Sequence, residues 1–169
     1  NYRAKHLGMA MDLVARTPRL PAPAETISGH KFFTAPGGKG ANQAVAAARL
    51  GAPTVMVGRV GGDSFGQELR QNLESAGVDI AAVQVDDRTS SGVALIAVDD
   101  NAQNSIIIVP GANGQVGEAD VDRLEAALPQ ARVLLLQLEV PLAATLAAAR
   151  AAGRHGVTVV LDPAPASED

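Results

Sequence analysis

Pro36-Gly37-Gly38-Lys39-Gly40-Ala41-Asn42-Gln43-Ala44 is the stretch on which the reading of this chain turns. It sets three glycines, one cation and one carboxamide at the start of an alanine-rich segment. Glycines let a backbone approach a ligand and take dihedrals closed to other residues. A helix beginning there turns its unpaired N–H groups and the positive end of its dipole toward whatever sits in front of it. Lys39 and Asn42 add donors suited to hydroxyls or phosphates. The stretch reads as a polar-ligand site, the alternative being a tight turn with no ligand.

Two common phosphate-binding patterns are excluded. A Walker A loop requires Gly-Lys-Ser/Thr, and here Lys39 is followed by Gly40. A dinucleotide fingerprint requires Gly-x-Gly-x-x-Gly opening a helix directly after a strand, which this stretch lacks. Gly51 and Gly61 continue the spacing downstream.

Outward from this stretch, apolar runs at 54–60, 133–138 and 157–161 suit parallel strands covered on both faces. Helices are expected over 41–50, 65–76 with Gly77 as its stop, 118–128 with acids in its first turns, and 142–152 between Pro141 and Gly153. The alternation predicts an α/β fold with a mainly parallel sheet and right-handed crossovers. A different texture, strand following strand, occupies 26–35 and 92–109, with the polar run Asp99-Asp100-Asn101-Ala102-Gln103-Asn104 joining strands 92–99 and 105–109. It predicts a small separate sheet; the alternative is an extension of the main one.

The 169 residues, 47% apolar, suffice for a single domain over 1–169. A net charge of −4 without a basic stripe, and aromatics limited to one Tyr and three Phe, argue against nucleic-acid binding. With no cysteine there are no disulfides or thiolate metal sites. His6, His30 and His155 are scattered and read as surface residues. No apolar run reaches the length of a membrane span, and the start has no signal-peptide core, so a cytoplasmic location is expected. The missing initiator Met points to processing or to a piece of something longer.

Ligands of open α/β sheets sit beyond the carboxyl ends of the strands. Glu139 and Asp162 fall at two such ends, and Asp12 is expected just past the first strand. Each has a plain alternative as a capping or turn carboxylate. Asp63 is expected to order the Gly61–Gly66 loop rather than to act in catalysis.

The long spacing resembles the first signature of the ribokinase (PfkB-type) carbohydrate kinase family. Further matches follow in the family's order: Met11-Asp12-Leu13, Pro21-x-Pro23-x-Glu25-Thr26, Gly61-x-Asp63-x-x-Gly66, Thr89-Ser90-Ser91-Gly92-Val93-Ala94, Gly111-Ala112-Asn113, Leu136-Gln137-Leu138-Glu139 and Asp162-Pro163-Ala164-Pro165-Ala166. The resemblance implies a three-layer ribokinase-like (Rossmann-like) fold whose small sheet is a lid over a sugar, used for dimerisation too. It implies that Asp12, Gly38, Lys39, Asn42 and Glu139 bind that sugar. The implied reaction is ATP-dependent phosphorylation of a pentose, D-ribose to D-ribose 5-phosphate first, with Mg2+ and K+ as further cofactors.

The family's Gly-Ala-Gly-Asp segment, which carries its catalytic Asp, and its Asn-x-x-Glu segment do not occur here. The resemblance therefore implies a C-terminal portion absent from the chain and no catalytic residue within it. The chain is then a fragment of a sugar kinase, a non-catalytic sugar-binding or dimerisation remnant, or a decayed product. Two residues depart from the pattern. Ala10 stands where the family has an Asn that would bond a sugar hydroxyl, which favours a 2-deoxyribose substrate. Ala24 replaces a glycine in the turn leading to the lid.

Overall fold

The computed structural model describes residues 4–166. Nine strands and four α-helices succeed one another as β1 (Ala4–His6), β2 (Ala10–Thr17), β3 (Lys31–Gly37), α1 (Lys39–Arg49), β4 (Thr54–Gly61), α2 (Ser64–Ser75), β5 (Asp79–Asp86), β6 (Val93–Asp99), β7 (Asn104–Val109), α3 (Glu118–Ala127), β8 (Val133–Leu136), α4 (Leu142–Arg154) and β9 (Thr158–Leu161). Two short 3-10 turns, Gly111–Gln115 and Leu128–Gln130, flank α3.

The main sheet runs β5-β4-β1-β8-β9 with every neighbour pair parallel. Alternation along its strands builds two cores. Val55 and Val57 of β4, with Leu134 and Leu136 of β8, face α3 and α4. Met56 and Val60 of β4 face α1 and α2. The result is the expected three-layer α/β arrangement. Alanines bury the helix faces closely, as at Ala41 and Ala44 of α1 and Ala148, Ala151 and Ala152 of α4, because a methyl side chain holds no neighbour away.

The second sheet, β3-β2-β6-β7, is separate from the first. Its β2–β6 pair is parallel and its outer pairs are antiparallel. Asp12 therefore lies inside a strand of the small sheet, paired in register with Ala35 and Ala94, and not just past the first body strand. The body strand β1 is only three residues long, and the chain leaves it through Gly8 to enter the lid.

Some boundaries differ from expectation. β3 starts at Lys31, five residues after the predicted 26, because its partner β2 ends at Thr17 and the register closes at Lys31 opposite Arg16. α4 runs through Gly153 to Arg154; the left-handed residue that ends it is Gly156 (φ 65°). Its last turn is anchored to α3, where Glu125 accepts hydrogen bonds from Arg154 Nη2 at 2.9 Å. The strand β5 carries no clear strand signal in the sequence, since alanines, Asp and Gln dilute its Ile80, Val83 and Val85. Opposite it, β9 forms the other edge of the sheet and leaves Val159, Val160 and Leu161 exposed. His30 and His155 are surface residues beside Asp100 and Glu125, while the side chain of His6 lies outside the described residues.

Candidate functional site

The chain passes from body to lid at β1–β2 and back at β3–α1, so the glycine-rich stretch lies between the two sheets. Gly38 caps α1 with φ 87°, and a Cβ there would stand 2.7 Å from the Ala10 nitrogen and the Met9 Cα. Any side chain would collide with backbone as well as strain the dihedral. At Gly40 a Cβ would overlap the Leu7 carbonyl. Both glycines let α1 seat its first turn against the β1–β2 crossover.

That seating consumes donors the helix start was expected to offer a ligand. The Lys39 N–H donates to Glu139 Oε2 at 2.7 Å, and the Ala41 N–H donates to the Gly8 carbonyl at 3.0 Å. Glu139 thus has the capping role that was its plain alternative. It also lines a cavity of about 210 Å³ in which all five expected site residues meet. Gly38, Lys39 and Asn42 come from the start of α1, Asp12 from β2 and Glu139 from the segment after β8. The opposite wall is apolar: Ala10, Ala94, Ile96, Ile106 and Ile108 belong to the lid.

The electrostatics centre on Lys39. Burial pushes the Asp12 carboxyl up from its ordinary range, with the Lys39 charge pulling against it. Burial also raises Glu139, opposed by the Lys39 N–H and charge and reinforced by the negative charges of Asp12 and Asp162. Two partly desolvated carboxylates and one ammonium therefore share a small cavity with the Asn42 side chain. Carboxylates accept and ammonium donates, so a polyol offering both kinds of hydroxyl contact fits the set.

Asp162 is not among the cavity's lining residues. Its Oδ2 accepts from Gln43 Nε2 at 3.2 Å, and Gln43 in turn accepts from Gln137 Nε2. This relay ties α1 to the carboxyl ends of β8 and β9. Asp63 caps α2, its Oδ1 accepting from the Gly66 N–H at 2.8 Å and its Oδ2 from the Ser91 N–H at 2.8 Å. Burial works against ionisation of Asp63, but the Ser91 hydroxyl and these N–H groups hold its carboxyl below the usual range. It orders the loop, as expected.

Sequence reasoning missed the apolar wall and Asn113, which also lines the cavity. The isoleucines of β6 and β7 carry no functional signature, and in the sequence Asn113 stands out only as part of Gly111-Ala112-Asn113. A wider cleft of about 550 Å³ opens beside Gly62, Arg70 and Asp87, but none of the expected site residues lines it. Among the described residues no group of three or more His, Cys, Asp or Glu side chains is placed to hold a metal ion.

A family model described as "pfkB family carbohydrate kinase" matches residues 6–169. The chain is 44% identical to a ribokinase of Schizosaccharomyces pombe, covering 94% of this chain and 52% of that protein. It is 42% identical to a deoxyribokinase of Salmonella typhi, covering 92% of this chain and 51% of that protein. Among solved structures, an Arabidopsis thaliana ribokinase complexed with ribose and ATP superposes with a TM-score of 0.84 at 34% identity, covering 96% of this chain and 53% of that one. The chain spans about half the length of the curated relatives it matches.

Proposed function

The chain belongs to the pfkB family of carbohydrate kinases, and on that footing we propose that it forms the sugar-binding and lid part of an ATP-dependent pentose kinase converting D-ribose to D-ribose 5-phosphate. One observation carries the reading: Asp12, Lys39, Asn42 and Glu139, from three separate segments, converge on one cavity roofed by apolar lid residues. Asp12 and Glu139 accept hydrogen bonds from sugar hydroxyls, while Lys39 and Asn42 donate to hydroxyl oxygens. The apolar wall of Ile96, Ile106 and Ile108 covers the C–H face of the ring and keeps water from the acceptor hydroxyl. Phosphoryl transfer depends chiefly on such placement and on charge stabilisation. ATP, Mg2+ and K+ are the cofactors of this reading. The described residues supply no cluster that fits a metal ion, and no residue of the cavity is assigned as the base.

A second reading concerns the sugar. Ala10 lines the cavity on the lid side, and its methyl side chain cannot hydrogen-bond a sugar hydroxyl. A 2-deoxy sugar leaves nothing unpaired there, and the deoxyribokinase relative stands close in identity to the ribokinases. Isothermal titration with D-ribose and 2-deoxy-D-ribose separates these readings. Binding of either, abolished by Lys39→Met, supports the site; binding of neither at millimolar concentration overturns it. If the second reading holds, Ala10→Asn shifts the preference toward ribose by about tenfold, one hydrogen bond's worth. An unchanged ratio refutes the role of Ala10.

The outer face of the lid supports a homodimer. Phe32 and Ile107, with relative exposures of 65% and 64%, join Leu13 and Leu95 along a shallow apolar groove. No helix of the described residues is long and apolar enough to cross a membrane, and a cytoplasmic location accords with this reading.

A further inference from the structure

We propose that Asn113 is a positioning residue: its side-chain amide sets the β1–β2 crossover and thereby aims Asp12 into the cavity. The proposal rests on the sugar-site reading above. Asn113 is 4% exposed and sits in the 3-10 turn after β7, 104 residues from the backbone it holds. Its Oδ1 accepts from the Met9 N–H at 3.2 Å, and its Nδ2 donates to the Met9 carbonyl at 2.7 Å. A carboxamide carries the same donor and acceptor pair as a peptide, so Asn113 pairs with Met9 much as an added strand would. Only this orientation of the amide satisfies both groups of Met9.

Met9 is fully buried and lies between two residues the site depends on. Gly8, before it, takes φ 88° and accepts the Ala41 N–H of α1. Ala10, after it, receives the close approach of Gly38. Two residues further on, Asp12 enters the cavity from β2.

The chain crosses between body and lid four times, at β1–β2, β3–α1, β5–β6 and after β7. Asn113 is at or against three of these. It lies in the last, bonds Met9 in the first, and presses on Gly92 in the third, where a Cβ would stand 2.6 Å from its Nδ2. The Met11 N–H donates to the Gly92 carbonyl at 2.8 Å, and the Ala112 N–H to the Ser90 carbonyl at 2.8 Å. The amide thus ties the last crossing to the first through Met9, close against the third, and its loss loosens Met9 and the start of β2 that leads to Asp12.

The test compares the whole chain with Asn113→Ala and with Asn113→Asp, which keeps the shape but turns a carboxylate oxygen toward the Met9 carbonyl. Hydrogen exchange followed by mass spectrometry reads a peptide over residues 7–13 against one over β4, and titration with D-ribose and 2-deoxy-D-ribose reads the site. Expected is exchange about tenfold faster over 7–13 with β4 unchanged, and sugar affinity lower by about tenfold. The loss should be smaller when Asp12→Asn is already present, since residues acting through one another are not additive. Unchanged exchange over 7–13, equal acceleration over β4, or full additivity with Asp12→Asn each overturns the proposal. If Asn113→Ala does not fold, Asn113→Asp decides by the same readouts. If the unaltered chain binds neither sugar, the sugar reading fails, and the exchange arm still decides whether Asn113 holds the crossover.

Discussion

Replacing Ala24 by glycine should stabilise the protein, and the size of the gain follows from the backbone. The Glu25 N–H donates to the Ala22 carbonyl at 3.1 Å, closing a four-residue turn with Pro23 second and Ala24 third. Ala24 takes φ 61°. Proline cannot take a positive φ, so this is a type II turn, whose third position asks for glycine. The turn is held in place from outside: the Glu25 carboxylate pairs with Arg19 and accepts the Ala22 N–H at 2.9 Å. Those bonds, Arg19's first, bring the Glu25 pKa down to about 2. A left-handed L-residue costs about 1–2 kcal/mol. Glycine removes that cost but adds about 0.5–1 kcal/mol of chain entropy to the unfolded state. The difference leaves a gain of about 0.5–1 kcal/mol, or about 2 °C in melting temperature for a chain of this length. Differential scanning calorimetry of Ala24→Gly measures it, with Ala102→Gly (φ 63° in the β6–β7 turn) as an independent case of the same sign. An unchanged or lowered melting temperature in both variants would refute the reasoning.

Stability should also depend on pH through Asp12 and Glu139. Burial raises both in the folded state, so between the ordinary carboxylate range and the raised values the folded chain binds more protons than the unfolded chain. Stability then falls as pH rises from the ordinary carboxylate range through the raised folded-state values. Asp12→Asn with Glu139→Gln should flatten this part of a melting-temperature profile; an unaltered slope would show that the two groups do not couple to folding. Asp63 acts with the opposite sign: its lowered pKa contributes stability above the ordinary range that is lost as pH falls through the folded value. Asp63→Ala should cost about 1–2 kcal/mol in chemical denaturation, as for a lost helix cap with partners left unpaired. On the lid's outer face, Ile107→Lys should abolish the proposed dimer in light scattering without altering sugar affinity, and a dimer that persists would place the interface elsewhere.

Much of this molecule is local, and local features were legible in the sequence. The apolar runs at β4, β8 and β9 and the small-residue helices α1 and α4 follow from period and composition, and so does the hairpin of β6 and β7 around Asp99–Asn104. Gly38 and Gly40 announced a close approach, expected to a ligand and found to be to the chain's own backbone at Leu7, Met9 and Ala10, while Ala24 stood out only against the family's glycine. What tertiary structure alone decided is which distant groups meet. That the helix-start N–H groups of Lys39 and Ala41 go to Glu139 and Gly8 depends on contacts up to 100 residues apart. That Asp12 reaches the cavity from a lid strand depends on β1 stopping at His6, because the chain can then cross into the second sheet. The isoleucines of β6 and β7 became a cavity wall only once β2 lay parallel to β6. Asn113 acquired its partner in the same way, for a carboxamide has no pattern in sequence that names the peptide it will hold. Secondary structure answers to neighbours a few residues away, whereas a binding site is built where the chain's crossings bring unrelated segments within hydrogen-bond distance.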